Sequence, residues 1–168
     1  MCSSDLAAIS LYALALLAAT VSDLTHYEIP NRVSLAVVAA FALTLPELPV
    51  WTSLAHVSAA LVLFALGTVL FVANIWGGGD VKLLAATTLW SGWSGLASFL
   101  LLTALTGALL ALSLLILRRA LPAMPAGRWY SRLLSPAEGI PYGVAIAAAA
   151  GLALLLPVEP APVLLALN

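Results

Sequence analysis

Two aspartates, Asp23 and Asp80, are the side chains of this sequence best suited to do chemistry. Asp23 directly follows the first apolar run and Asp80 directly precedes the fourth, so the chain can return to the same depth between them. Two carboxylates that lie close together cannot both ionise, and such a pair shares one proton. The ionised member can take a proton from water while the protonated member polarises a scissile carbonyl, which is peptide hydrolysis without a metal or cofactor. The sequence leaves open which aspartate takes which role.

The residues around Asp80 favour this interpretation over a simpler one, in which both acids only end helices near the membrane interface. Three glycines, Gly77, Gly78 and Gly79, come directly before Asp80. Glycine has no side chain and tolerates positive φ, so we expect these residues to let an extended peptide substrate approach Asp80. A glycine run is also typical of a turn between helices. Lys82 is interpreted as a marker of the cytoplasmic boundary rather than as a catalytic residue.

A loop of defined shape is predicted after Asp23. Pro30 fixes its own φ and restricts Ile29 to an extended conformation, and Asn31 is a candidate N-cap for the second helix. We therefore expect these three residues to shape a loop at the substrate site. The nearby His26 does not indicate a metal site, because the sequence offers no second histidine on that face and no cluster of thiolates.

Composition assigns the whole chain to a membrane. Of 168 residues, 64% are hydrophobic and 8% are charged, whereas about a quarter of the residues of a soluble domain are charged. The net charge of -1 and the few basic residues exclude a nucleic-acid-binding protein, which must neutralise many phosphates. The only cysteine, Cys2, excludes a disulfide framework and a thiolate zinc site. We expect a single membrane domain over residues 1–168, surrounded by lipid and needing no cofactor.

Six apolar runs predict an all-α, polytopic membrane protein with about six transmembrane helices, because backbone groups in a bilayer must be hydrogen-bonded within the segment. The runs are 6–21, 33–45, 54–75, 81–89, 96–117 and 140–156. The second and fourth are short for a full crossing and must include flanking residues or thin the bilayer. We expect the first run to be an uncleaved helix, since no Lys or Arg precedes it.

The basic residues predict the orientation, because loops that face the cytoplasm carry an excess of Lys and Arg. With six crossings, one face holds all six of them: Arg32, Lys82, Arg118, Arg119, Arg128 and Arg132. That face is expected to be cytoplasmic, with both termini outside and the protein in the cell's inner membrane. The rule requires a bend within 91–95, because a single crossing over 81–117 would move four arginines to the other side.

This orientation also sorts the acids and the amphipathic rings. The acids assigned to the cytoplasmic side, which alone can cooperate, are Asp23, Glu28, Asp80 and Glu138. His56 and Trp90 are expected at the outer membrane boundary, where amphipathic rings are enriched. The proline-containing stretch 118–139 is expected to be an irregular cytoplasmic loop.

Two motifs together resemble the type IV prepilin peptidase family of GxGD aspartyl proteases. They are Asp23 followed by Ile29-Pro30-Asn31, and Gly77-Gly78-Gly79-Asp80 followed by Val81-Lys82-Leu83-Leu84. The stretch Ile140-Pro141-Tyr142-Gly143-Val144-Ala145 is also similar to a family segment, so the resemblance covers nearly the whole chain. It implies that Asp23 and Asp80 are the catalytic pair, and that a short basic leader is removed from a prepilin or pseudopilin at the cytoplasmic face.

Larger members of that family resemble this chain but add a cytoplasmic, cysteine-containing segment and also methylate the new N-terminus. This sequence has no such insertion and is more similar to the small peptidases of tight-adherence (Flp-type) pilus systems. Peptidase activity alone is therefore expected, and the oligomeric state is left open.

Other interpretations remain. An archaeal preflagellin peptidase resembles the same two motifs and differs mainly in its substrate. A presenilin-like protease also carries Gly-x-Gly-Asp, but it would need its partner acid inside a helix and a Pro-Ala-Leu segment, and neither is expected here. A small transporter or an assembly scaffold could use paired membrane acids to move protons, although it would hold them near mid-membrane.

Overall fold

The computed structural model describes residues 3–121, 133 and 139–155, and in these ranges the regular structure is helical throughout. The elements are α1 (Ser3–His26), α2 (Asn31–Ala42), a 3-10 helix (Leu45–Glu47), α3 (Val50–Val72), α4 (Gly78–Ala120) and α5 (Tyr142–Leu155). The all-α prediction is confirmed for this part of the chain. Most of the expected loop at 118–139, including Glu138, Arg128 and Arg132, lies outside the described residues.

The helix boundaries follow from residues with special backbone preferences. Pro30 and Pro49 occupy the N-cap positions of α2 and α3, where a fixed φ and a missing N–H cost nothing. At their C-terminal ends, α1 and α3 are followed by Tyr27 and Asn74, which both have a φ of 57°. A left-handed residue is a common way to end a helix, because it turns the chain and lets its amide reach the last carbonyls.

Three helices are long and apolar enough to cross a bilayer: Asp5–His26, Val50–Val72 and Gly78–Ala120. The other two, α2 with 12 residues and α5 with 14 residues, are shorter than the ~20 residues of a full crossing. The six-crossing count and the outer location of both termini therefore stay predictions. Packing joins α1 to α2 and α5, and α4 to α2, α3 and α5, so that α5 contacts both long helices of the site described below.

Helix α4 is broken at Gly92, which has φ 59° and ψ -166°. This conformation is essentially restricted to glycine. The break lies inside 91–95, where the positive-inside rule requires a bend, and it divides α4 into a first arm (78–91) and a second arm (93–120). The arms allow the chain to change direction without losing the helical hydrogen bonds on either side.

Two rings expected at the membrane boundary are buried against other helices near this break. Trp90 is 3% exposed and stacks on Tyr12 of α1 with ring centroids 4.2 Å apart. His56 is 1% exposed, and its Nδ1 lies 2.6 Å from the carbonyl oxygen of Leu89, so Nδ1 is the donor. Both rings therefore belong to the core, where such rings are stable when their polar atom finds a partner, and their depth in the membrane stays a prediction.

Replacing Gly92 by alanine is expected to destabilise the fold. A Cβ at this position would lie 2.8 Å from His56 Nε2, and the φ of +59° is strained for any residue with a side chain. We expect Gly92→Ala to lower the free energy of unfolding by about 1–3 kcal/mol, measured by titrating purified protein in mixed micelles with a denaturing detergent. Gly151→Ala is the matched control, since nothing lies within 4 Å of its added Cβ. Equal stability of the two variants would contradict the role given to the break.

Candidate active site

Asp23 and Asp80 line the same cavity, of about 370 Å³, at the end of the bundle where α1 finishes and α4 starts. The cavity is lined by Asp23, Tyr27, Glu28, Ile29, Gly77, Gly78, Gly79, Asp80, Ile140 and Tyr142. The structure thus brings together both predicted aspartates, the three glycines and Ile29. Glu28, assigned to the same side by the charge argument, also lines it.

Both aspartates lie inside helices, not beyond their ends as expected. Helix α1 continues to His26, so Asp23 belongs to its last turn, and Asp80 belongs to the first turn of α4. The expectation placed the helix ends at the last apolar residue, whereas a helix continues through polar residues until a turn stops it. One ground for setting aside a presenilin-like protease, a partner acid outside a helix, is therefore wrong.

Asp23 is buried, with 5% of its surface exposed. Its Oδ2 accepts a hydrogen bond of 3.1 Å from the backbone N–H of Val144, in the first turn of α5. The adjacent Gly143 allows this contact, because a Cβ there would lie 2.8 Å from Asp23 Oδ2. The end of α1 is thereby joined to the start of α5.

The glycines before Asp80 act by their small size. A Cβ on Gly77 would lie 2.9 Å from Asp80 Oδ2, and one on Gly79 would lie 3.2 Å from Ile29 Cβ. Gly77 has a φ of -71°, and Gly92 is the glycine with positive φ among the described residues. These glycines therefore leave room for Asp80 and Ile29 without adopting positive φ, and the approach of a substrate to them stays a prediction.

Negative charge is concentrated in this cavity. Its described lining includes three acids, Asp23, Glu28 and Asp80, and no Lys or Arg. The aspartates are close enough for the charge on Asp23 to act on Asp80. A cleft lined by one sign of charge attracts the opposite sign, so the site suits a positively charged segment.

Asn31 and Lys82 connect the two motif segments outside the cavity. Pro30, not Asn31, is the N-cap of α2, and no side chain makes a cap hydrogen bond there. Asn31 Oδ1 instead accepts a hydrogen bond of 2.9 Å from Lys82 Nζ. The predicted cap was wrong because the amide has a stronger partner in the first turn of α4.

A second, larger cavity adjoins the first. It has a volume of about 510 Å³ and shares Gly77, Asp80, Ile140 and Tyr142 with the acidic cavity. The rest of its lining is mostly apolar: Ile75, Trp76, Leu84, Leu100, Thr103, Ala104 and Ile146. Asp80 thus lies between an acidic space and an apolar one.

The described residues contain no group of three or more His, Cys, Asp or Glu side chains that could hold a metal ion. The Nδ1 of His26 lies 2.6 Å from Oγ1 of the neighbouring Thr25.

Residue types alone did not reveal that α5 contributes to the site. The donor to Asp23 is a backbone amide, and the only sequence feature that pointed to it was the resemblance of the Ile140 to Ala145 stretch to a family segment.

Comparison with known proteins shows the family of this chain. The model of the type IV leader peptidase family matches residues 10–112, which is more than half of the chain and includes both aspartates. The chain therefore belongs to the type IV leader peptidase family. Membership indicates a membrane-embedded peptidase of the leader-peptidase type. No curated protein and no solved structure matches the chain, and α5 lies beyond the matched residues.

The bond between Lys82 and Asn31 is expected to couple the two motif segments energetically. In a double-mutant cycle, Asn31→Ala and Lys82→Met should show a coupling of about 0.5–1 kcal/mol, a small value because both side chains are exposed. The free energy of unfolding in mixed micelles is the quantity to measure. Lys82→Met combined with Glu47→Ala, in the 3-10 helix, should be additive. Additive effects in both pairs would show that the contact contributes nothing.

Proposed function

We propose that the chain is an aspartyl endopeptidase that removes the short basic leader from prepilins or pseudopilins at the cytoplasmic face of the inner membrane. The observation that carries the proposal is that Asp23 and Asp80 line one cavity at the same end of the bundle. Family membership supports a leader peptidase, and the two acids supply the chemistry that such a peptidase needs.

In the proposed mechanism the two carboxylates hold one proton between them. The ionised carboxylate takes a proton from a water molecule, whose oxygen attacks the scissile carbonyl carbon, and the protonated carboxyl gives its proton to the carbonyl oxygen. The tetrahedral intermediate then loses a hydroxyl proton back to the second carboxylate. The first carboxyl protonates the leaving nitrogen as the C–N bond breaks, which restores the starting state.

The two adjoining cavities support a substrate with a basic leader followed by an apolar helix. The acidic cavity suits the leader by charge, because its described lining includes three acids and no Lys or Arg. The apolar cavity on the other side of Asp80 suits the start of the apolar helix. A peptide that spans both cavities would pass Asp80 at the junction between leader and mature protein.

An archaeal-type preflagellin would present the same pattern of basic leader and apolar helix. It stays an alternative substrate for the same site and the same chemistry. A pilin gene or a flagellin gene beside the peptidase gene distinguishes the two.

Asp23→Asn and Asp80→Asn are each expected to abolish leader removal, because an amide of the same shape cannot exchange the proton. We expect a loss of roughly 100-fold or more. Each variant is co-expressed with a tight-adherence prepilin, and the mobility shift of the pilin is followed at equal abundance of the enzyme in the membrane. Glu47→Gln is the control, since Glu47 lies in the 3-10 helix away from the cavity. Complete leader removal by either aspartate variant would refute the shared-proton mechanism.

The enzyme is expected to cleave its substrate without methylating it. Purified protein is incubated with prepilin and S-adenosylmethionine carrying a labelled methyl group. We expect mature pilin with a free, unlabelled N-terminus. Label on the mature N-terminus would show that this chain has a second activity.

A further inference from the structure

We infer that Gly143 and Val144, at the start of α5, are positioning residues that hold Asp23 as the ionised member of the pair. Asp23 is then the base that activates water, and Asp80 is the acid that protonates the scissile carbonyl. The inference rests on the proposed function, in which the two roles belong to the pair and are not assigned to either residue.

The amide of Val144 is the first part of this arrangement. It donates to Asp23 Oδ2 at 3.1 Å and shares its hydrogen with the carbonyl oxygen of Pro141, to which it donates a longer bond of 3.3 Å. Amides in the first turn of a helix lack the usual acceptor four residues earlier, and they form the positive end of the helix dipole. Because an amide can only donate, its bond to a carboxylate favours the ionised form.

The absence of a side chain at Gly143 is the second part. A Cβ there would lie 2.8 Å from Asp23 Oδ2 and 2.5 Å from Ile29 Cδ1. Ile29 is itself 9% exposed and is also close to Gly79 on its other side. Any larger residue would therefore push the carboxylate of Asp23 away from the amide of Val144.

Asp80 has a different environment. Among the described residues, no hydrogen bond to its carboxylate is seen, and its immediate neighbours are the glycine segment and the charge of Asp23. Asp80 lies in the first turn of α4 and Asp23 in the last turn of α1, so the dipoles of these two helices favour the opposite assignment. A direct hydrogen bond to a charged group contributes more free energy than a helix dipole. The bond from Val144 therefore assigns the negative charge of the pair to Asp23.

Among the described residues, the other groups that share the cavity with Asp23 do not supply a positive partner. The titratable residues that share its cavity are Asp80 from α4, Tyr27 and Glu28 from the α1–α2 connection, and Tyr142 from α5. The described lining includes no Lys or Arg. The amides at the start of α5 are therefore the positive groups that the structure directs at this carboxylate.

The test compares two replacements of one residue. Val144→Pro removes the N–H but keeps a residue that the first turn of a helix accepts, and Val144→Ala keeps the N–H. The pH dependence of kcat/KM is measured for detergent-purified full-length enzyme with a synthetic peptide that has a basic leader before an apolar segment. Asp23 is ionised in both the singly and the doubly ionised pair, so loss of the bond raises the free energy of both states equally and changes only the first ionisation step. We expect the acid limb of the profile to move up by roughly one pH unit in Val144→Pro while the alkaline limb stays in place, and we expect both limbs to stay in place in Val144→Ala.

Two outcomes would overturn the inference. If Asp80 carries the first charge, Val144→Pro moves only the alkaline limb, because Asp23 then ionises second. If α5 has only a structural role, activity falls and neither limb moves. Gly143→Ala is a second variant with the same expected shift, and Gly151→Ala in the same helix is its control, because its added Cβ meets nothing within 4 Å.

The same ionisation steps can be followed without substrate. The infrared band of protonated carboxyl groups is titrated in wild type, Val144→Pro and Val144→Ala, and the difference spectra report the pair. A shift of the first ionisation step alone in the proline variant supports the inference even if the peptide is not cleaved, and a shift of the second step alone or unchanged steps contradict it. A wild-type enzyme that cleaves no leader would instead contradict the proposed function.

Discussion

A buried carboxylate that needs a hydrogen-bond donor organises this end of the protein. Burying a charge is unfavourable unless the charge is hydrogen-bonded or paired, and Asp23 is 5% exposed. Its donor is the Val144 amide of α5, and α5 also packs against α4, which carries Asp80. Helices α1, α4 and α5 therefore have to meet at one point, and the cavity of the site is the space left between them.

Close approach at that point depends on residues without side chains. Gly77 leaves room for the carboxylate of Asp80, Gly79 for Ile29, and Gly143 for Asp23. The bond between Lys82 and Asn31 then joins the segments from the outside. Negative charge, small residues and an adjoining apolar space occur together at one end of the bundle, which is the combination that cleavage beside a basic leader requires.

Much of this site could be predicted, because the sequence features that indicate it are either short local motifs or the distribution of charged residues along the chain. The distribution of Lys and Arg placed Asp23, Glu28 and Asp80 on one side and required a bend within 91–95, where Gly92 breaks α4. Contacts between distant segments could not be predicted. Trp90 and His56 have partners on other helices, and the donor to Asp23 is a backbone amide, which every residue except proline carries.

The most direct test of the central claim is whether positions 23 and 80 are neighbours in the membrane. Asp23→Cys and Asp80→Cys are combined in a Cys2→Ser background, and membranes are treated with a short bifunctional maleimide. We predict efficient cross-linking within one chain, detected by altered mobility on a denaturing gel, and none for Asp23→Cys paired with Trp51→Cys, since Trp51 lies in the first turn of α3, beyond the far end of α2. Cross-linking of the 23–80 pair no higher than that of the control would contradict the account.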